Sequence, residues 1–144
     1  MSAFRFVHTV EVRFRDLDAM GHAHHTLPLV LFEEARARYW REVAGRESVV
    51  DADYIMKDAR ITYHDRIRFP GTVRVGVRVG DIGTTSFTME YEVRTADDRG
   101  ALLATGRTVQ VMYDYDADEP RAVDDETRAR LRAYERSSEE GAAR

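Results

Sequence analysis

The chain has 144 residues, a size at which one hydrophobic core forms without disulfides or metal. Its formal net charge of −4 excludes a chain-wide positive field, so we expect no nucleic-acid partner. The absence of cysteine excludes a disulfide framework, a thiol nucleophile and a cysteine-ligated metal site. We therefore expect a single domain over residues 1–144, with its core at about 5–121 and a surface helix and tail over 122–144.

The first predicted element is a strand over residues 4–14 with one buried face. The apolar residues of that face are Phe6, Val10, Val12 and Phe14. This alternation contains no long apolar run of the kind found in a secretory signal. No stretch of the chain approaches the ~20 apolar residues of a membrane span. These patterns favour a cytoplasmic protein without a membrane partner.

A long helix is predicted over residues 27–44. Thr26 is the candidate N-cap, Pro28 lies in the first turn, and Gly45 is the candidate C-cap. Charged residues of this segment, Arg36 among them, are assigned to its solvent side, although Ala35 or Arg36 also recurs at the spacing of the apolar face. The apolar face of the helix is expected mainly to form core, and its second possible role is the wall of an acyl tunnel. This face consists of Leu29, Phe32, Tyr39, Trp40 and Val43, widened by Val30 and Leu31.

Alternation of polar and apolar residues dominates the rest of the chain. It predicts strands over residues 59–69, 72–80, 86–95 and 101–115, followed by a short surface helix that begins near residue 123. One strand, one long helix and four further antiparallel strands indicate an α+β fold. Because one helix cannot cover both faces of such a sheet, we expect its other face or an edge to meet a second subunit.

The segment between the first strand and the helix carries the side chains best suited to chemistry. A helix N-terminus presents unpaired N–H groups that can hold a carbonyl oxygen as it becomes an oxyanion. A carboxylate held opposite can attack an acyl carbon or deprotonate water. The segment therefore indicates acyl transfer. Its chemistry-bearing residues are Asp16, Asp18, Gly21, His22, His24 and His25.

Residues 15–22 (RDLDAMGH), followed by residues 32–36 (FEEAR), resemble the hotdog-fold thioesterases of the 4-hydroxybenzoyl-CoA thioesterase type. The pattern is nearest to the long-chain acyl-CoA and acyl-carrier-protein thioesterase branch, and it continues through residues 82–87 and 104–111. The resemblance implies a hotdog fold, in which a five-stranded antiparallel sheet wraps around one long helix, assembled as a homodimer or homotetramer. It also implies hydrolysis of an acyl-CoA or acyl-carrier-protein thioester without a cofactor.

The same resemblance assigns roles to individual residues. Asp18 matches the catalytic carboxylate, which acts either as a nucleophile or as a general base. Gly21 matches the glycine that permits the tight turn before the helix. His25 matches the residue whose helix-end N–H polarises the thioester carbonyl, and its ring is a second candidate for function. The segment that lines the acyl and pantetheine channel, usually across a dimer interface, is matched by Thr84, Thr85 and Ser86.

The chain departs from the family pattern at two neighbouring places that matter for the mechanism. The asparagine pair of the family is His24-His25 here, followed by Leu27-Pro28 in place of a polar residue and tyrosine. Loss of these amides leaves a non-catalytic acyl-thioester-binding protein as the alternative function. A hydratase is less favoured, because no hydratase-like aspartate and histidine pair follows the helix.

Other polar residues have competing interpretations. His22, His24 and His25 could ligate a metal, but neighbouring imidazoles rarely converge, so no metal site is predicted. His22 is interpreted as a loop-anchoring residue beside the substrate, and Asp16 as structural.

Three further groups of polar residues have both a structural and a functional interpretation. Glu33 and Glu34 fit solvated helix charges, although Glu34 could assist at the site. His64 fits a satisfied edge residue. Three arginines could contact the phosphates of CoA, although an ordinary surface role is favoured for each: Arg66, Arg68 and Arg121.

Overall fold

The computed structural model describes residues 4–48 and 51–142, with side chains through residue 136. Its elements in chain order are β1 (Phe6–Glu11), α1 (Leu27–Glu42), β2 (Tyr54–Tyr63), β3 (Thr72–Ile82), β4 (Ser86–Thr95), β5 (Leu102–Asp114), β6 (Glu119–Pro120) and α2 (Asp125–Ala142). The strands pair antiparallel in the order β1-β3-β4-β5-β2, and the two-residue β6 pairs with the end of β5. The α+β prediction is confirmed, with one very short strand more than the five predicted.

The predicted first strand is too long. The N–H of Asp16 donates to the carbonyl of Arg13 at 2.9 Å, which closes a 3-10 turn at Phe14–Asp16 and takes the chain away from β3. Val12 stays buried beside this turn, but Phe14 is 77% exposed. The placement of Phe14 on the buried face was therefore wrong.

Strand β2 begins and ends earlier than the predicted strand over 59–69. Its register is set by β5, where Tyr54 pairs with Met112 and Tyr63 pairs with Ala104. Beyond Tyr63 the ladder stops, because the N–H groups of His64 and Asp65 both donate to one carbonyl, that of Leu103. Residues 64–69 consequently form a connection rather than strand.

Helix α1 packs its aromatic residues on the inner face of the sheet. Phe32 stacks on Tyr91 with ring centroids 4.4 Å apart, and Trp40 stacks on Phe87 at 5.0 Å. The helix ends at Glu42, two residues earlier than predicted, and its C-cap is Val43 rather than Gly45. Gly45 follows with a φ of +79°, which suits glycine. Two predicted core positions are wrong, since Leu29 is 39% exposed and Val30 is 41% exposed.

Arg36 belongs to the buried face of α1, contrary to its assignment to the solvent side. Its Nε and Nη1 groups donate to the hydroxyls of Tyr54 and Tyr91, each at 3.2 Å. The position is four residues from both Phe32 and Trp40, so helical geometry places it on their face. The tyrosine hydroxyls allow the guanidinium to be buried there.

Helix α2 is longer and better docked than the short surface helix predicted. Leu131 is fully buried, and Tyr134 packs edge-on against Tyr39 at 5.7 Å. The carboxylate of Glu135 accepts hydrogen bonds from the Tyr39 hydroxyl at 2.6 Å and from the Val79 N–H at 2.8 Å. In the described part of the chain, neither helix combines the length and hydropathy that a bilayer crossing requires.

Asp124 caps the start of α2, and its replacement should destabilise the fold. Its carboxylate accepts from the Thr127 N–H at 3.0 Å and from the Thr127 hydroxyl at 2.8 Å. Asp124→Ala should lower the free energy of unfolding in urea by about 1 kcal/mol. Asp125→Ala removes a neighbouring carboxylate without removing this cap, so equal losses from the two variants would contradict the capping role.

Candidate active site

Asp16 anchors the loop between β1 and α1. Its Oδ2 accepts from the Arg13 N–H at 2.8 Å, and its Oδ1 lies 3.0 Å from the Arg13 guanidinium. The carbonyl of Asp16 accepts from the His24 N–H at 2.8 Å. The buried Asp16 therefore ties both ends of the loop together, which agrees with its interpretation as structural.

Asp18 is exposed, and the backbone of its own loop holds one of its carboxylate oxygens. The Oδ1 atom accepts from the Met20 N–H at 2.9 Å and from the His22 N–H at 3.1 Å. The Oδ2 atom accepts no hydrogen bond from any residue that the structure describes. The His22 N–H, helped by that of Met20, holds the pKa of Asp18 below its ordinary value despite some desolvation. Asp18 is consequently a carboxylate at neutral pH with one oxygen available for chemistry.

The turn that closes this loop uses Gly21. Its φ of +78° lies in the left-handed region, and its N–H donates to the Asp18 carbonyl at 3.0 Å. The Asp18 N–H in turn donates to the His22 carbonyl at 2.7 Å. These bonds fix the backbone on both sides of the carboxylate.

The start of α1 leaves two backbone N–H groups, those of His25 and Leu29, without an acceptor among the described residues. Leu27 donates to the His24 carbonyl at 2.9 Å, Pro28 has no N–H, and Thr26 donates to Nδ1 of His24 at 3.2 Å. Among the described residues, none accepts from the N–H of His25. Thr26 was predicted to cap the helix, but its side chain caps no backbone N–H. Its hydroxyl lies instead 2.7 Å from the same His24 nitrogen.

The rings of His24 and His25 stack with centroids 4.6 Å apart. Within the described ranges 4–48 and 51–136, no three histidine, aspartate or glutamate side chains gather in a geometry that could hold a metal ion.

A cleft of about 370 Å³ lies beside these histidines. Its walls come from the loop before α1 and from the connection that follows β2. The hydroxyl of Tyr63 crosses between the walls and donates to the His25 carbonyl. His64 also lines the cleft, with Nε2 at 2.9 Å from the Thr105 hydroxyl. We name this space the histidine cleft; its lining residues are His22, Ala23, His24, His25, Pro28, Tyr63, His64, Asp65, Arg66, Ile67, Leu103 and Ala104.

Comparison with known proteins identifies the family. The family model described as the Thioesterase-like superfamily matches residues 12–131. The chain belongs to this superfamily. It is 30% identical to a thioesterase from Thermus thermophilus whose crystal structure contains coenzyme A and zinc, with a TM-score of 0.83 over 94% of this chain and 97% of that one. The antiparallel sheet and its helix therefore form a hotdog fold.

Two further proteins are similar to this chain at lower identity. A predicted thioesterase from Bacillus stearothermophilus is 25% identical, with a TM-score of 0.80 over 89% of this chain and 94% of that one. An uncharacterised protein of Bacillus subtilis, YsmA, is 24% identical over 62% of this chain and 61% of its own length.

Within one chain, the predicted channel segment lies far from the His25 end of the loop before α1. Ser86 pairs with Val111 on β5, whereas Tyr63, which contacts His25, pairs with Ala104 on the same strand. At about 3.4 Å per residue, these positions are separated by about 24 Å. Thr84 and Thr85 lie at the same distant end, where their carbonyls accept from Val123 and Met112. A single protomer therefore does not bring the two parts together.

Glu34 also lies outside the histidine cleft. Its Oε2 is 3.9 Å from Nε2 of His8 on β1, and burial lowers the pKa of that histidine. Glu33 is solvent-exposed, with its carboxylate 4.0 Å from the Arg36 guanidinium. In one protomer, neither glutamate lines the histidine cleft.

Proposed function

We propose that the protein hydrolyses the thioester of an acyl-CoA or acyl-carrier-protein substrate, in the manner of the 4-hydroxybenzoyl-CoA thioesterase type and its long-chain acyl branch. One observation carries the proposal: an ionised carboxylate with an available oxygen and a backbone N–H without an acceptor share the loop at the start of α1. The coenzyme A bound by the Thermus thermophilus relative supports a CoA substrate.

In the proposed reaction, Asp18 and His25 have different roles. The His25 N–H donates to the thioester carbonyl and stabilises the negative charge that develops on its oxygen. The free oxygen of Asp18 either attacks the acyl carbon, forming a mixed anhydride that water then cleaves, or takes a proton from the attacking water. In both routes the C–S bond breaks, the thiolate takes up a proton, and free acid and thiol are released.

The proposal includes a second copy of the chain, as a homodimer or homotetramer. β2 is an edge strand whose Ile55, Met56 and Tyr63 are exposed at 38%, 40% and 55%. Exposed apolar edge strands are usually covered by a partner. In such an assembly, Thr84, Thr85 and Ser86 of one copy would line the channel at the loop of the other.

The direct test is a panel of acyl-CoA thioesters of different acyl lengths, with release of free thiol as the measurement. We expect multiple turnovers with at least one member of the panel. Stoichiometric binding of acyl-CoA without thiol release from any member would instead favour the non-catalytic binder.

The pH dependence should identify the reacting group. The pKa of Asp18 lies below its ordinary value of 3.8, and the residue reacts as the carboxylate. The enzyme should therefore be active above the lowered pKa of Asp18 and lose activity only as the pH falls through that pKa. We expect kcat/KM to show no loss assignable to Asp18 between about pH 5 and 8. An acidic limb near pH 6.5 that disappears in a histidine variant would instead identify an imidazole as the essential base.

His25→Ala separates the backbone donor from the ring. The variant keeps the N–H at the start of α1, so we expect kcat to fall by no more than about threefold, well below the loss of a general base or acid. A fall of about 100-fold, with an unchanged circular dichroism spectrum, would show that the ring reacts.

A further inference from the structure

The turn that joins β3 to β4 is not fixed by strand pairing alone. The register of the two strands is interrupted between Val79 and Ile82, so the ladder loosens just before the turn. The N–H of Gly83 closes the turn by donating to the Ser86 carbonyl at 2.7 Å. We name residues 82–86 the channel hairpin, because the proposed function assigns its hydroxyls to the acyl channel of a neighbouring copy.

Arg128 on α2 supplies bonds that the strand ladder lacks. Its Nη2 donates to the Gly83 carbonyl at 2.7 Å, and its Nη1 donates more weakly to the Ile82 carbonyl at 3.5 Å. A guanidinium is a planar fork of donors, so it fixes two adjacent carbonyls relative to each other. The carbonyls of the next two residues accept from backbone N–H groups. Arg128 is therefore the side chain that completes the support of the channel hairpin.

The start of α2 is a firm base for this guanidinium. Asp124 caps the helix at Thr127, and the Thr127 hydroxyl also accepts from the Arg46 guanidinium at 3.3 Å. Leu131, one turn after Arg128, is fully buried. These contacts limit the movement of α2, so the position of the helix determines the position of the hairpin.

The side chains of the channel hairpin are not used within their own chain. The hydroxyls of Thr84, Thr85 and Ser86 make no hydrogen bond with any residue that the structure describes. Thr84 is exposed, and the other two residues are partly exposed. Because Arg128 and β5 hold the backbone beneath them, these hydroxyls have a fixed placement and are available to a group outside the chain.

We infer that Arg128 is a positioning residue for the active site of the neighbouring copy: it fixes the channel hairpin so that the hairpin hydroxyls contact the substrate at the other copy's loop. The inference rests on the proposed function, in which this hairpin lines the channel of a second subunit. It goes further, because it makes a residue of α2 that lies outside the channel a determinant of substrate binding in trans. Loss of Arg128 should weaken substrate binding and leave the reaction of bound substrate unchanged.

Steady-state kinetics with the acyl-CoA panel tests this split between binding and reaction. Arg128→Met keeps the aliphatic stem and removes the donors. It should raise KM by about tenfold, the effect of one lost hydrogen bond from a charged donor, and leave kcat within about twofold of the wild type. Arg128→Lys retains a single donor and should raise KM by about threefold.

The matched control is Arg132→Met, which makes the same substitution one turn further along α2 at an exposed position. Its KM should equal that of the wild type. A wild-type KM in every folded Arg128 variant, or an equal rise in the control, would overturn the inference. A fall in kcat at unchanged KM would also overturn it.

A mixed dimer shows which copy Arg128 serves. One chain carries Asp18→Asn, the other carries Arg128→Met, and a different affinity tag on each chain allows the mixed dimer to be purified. Its one site with Asp18 then uses the hairpin of the Asp18→Asn chain, in which Arg128 is intact. We expect a wild-type KM with half of the wild-type kcat per dimer. A raised KM would place the effect within one chain and contradict the action in trans.

Binding of alkyl-CoA thioethers separates failure of this inference from failure of the proposed function. These compounds match the acyl-CoA panel in chain length but cannot be hydrolysed, so calorimetry measures affinity alone. If acyl-CoA is hydrolysed while Arg128→Met and the wild type bind a thioether equally, the inference fails and the thioesterase proposal stands. If no acyl-CoA is hydrolysed but Arg128→Met binds the thioether about tenfold more weakly, the positioning role stands and the proposed hydrolysis fails. A wild type that binds none of the thioethers would overturn the inference.

Discussion

Asp18→Asn should lower kcat for acyl-CoA hydrolysis by at least about 100-fold, the scale of a lost general base. An amide oxygen can still accept from the Met20 and His22 N–H groups, so the loop keeps its shape while the reacting charge is lost. KM should change little, because the carboxylate is needed only when the acyl carbon reacts. Steady-state kinetics with thiol detection gives both constants.

The matched control for this variant is Asp98→Asn in the β4–β5 turn. Asp98 is exposed and carries the same charge, so its replacement should leave kcat unchanged. Wild-type kcat in Asp18→Asn would remove Asp18 from the chemistry, whatever activity the protein has.

The backbone geometry of the loop before α1 was predictable because its parts are contiguous in sequence. Asp18, Gly21 and His25 lie within one turn and the start of one helix, and local hydrogen bonds alone fix their arrangement. The positive φ of Gly21 turns the backbone so that N–H groups of the loop reach Asp18. A glycine in the sequence is itself a sign of such a turn. The catalytic roles of these residues remain predictions.

The features that sequence reasoning missed depend on non-local pairing. The register of β2 is set by β5, so the alternation of residues 59–69 alone could not show that the ladder ends at Tyr63. The burial of Arg36 depends on hydroxyls from Tyr54 and Tyr91, which come from two other strands. The helical spacing of Arg36 indicated the buried face of α1, but the prediction placed the residue on the solvent side because its side chain is charged.

The placement of Thr84, Thr85 and Ser86 shows a different limit. Their matching motif is compatible with the channel of a neighbouring copy, but sequence order does not reveal which end of the sheet a hairpin occupies. The antiparallel register places that hairpin about 24 Å from the loop in one chain, at about 3.4 Å per residue. The distance is the reason why the proposed site needs a second subunit.

Gly106→Ala should destabilise the fold by about 3 kcal/mol or more, at the severe end of overpacking. An added Cβ at this β5 position would clash with Cε2 of Phe32 and would lie 3.0 Å from the Arg60 carbonyl oxygen. Phe32 cannot move aside, because it is fully buried and stacked on Tyr91. Such a loss is a large part of the roughly 5–15 kcal/mol that stabilises a typical domain. Urea unfolding would measure it.

A double-mutant cycle identifies the contact that causes the loss. Phe32→Leu removes the ring edge that the new Cβ would meet, so Gly106→Ala should cost less in that background than in the wild type. The strand carbonyl at Arg60 stays close, so part of the penalty should persist. Gly83→Ala is the control, because its Cβ would approach only Ser86, whose Oγ lies 3.3 Å away. Equal costs in both backgrounds would show that the penalty comes from the strand carbonyl at Arg60 and not from the ring of Phe32.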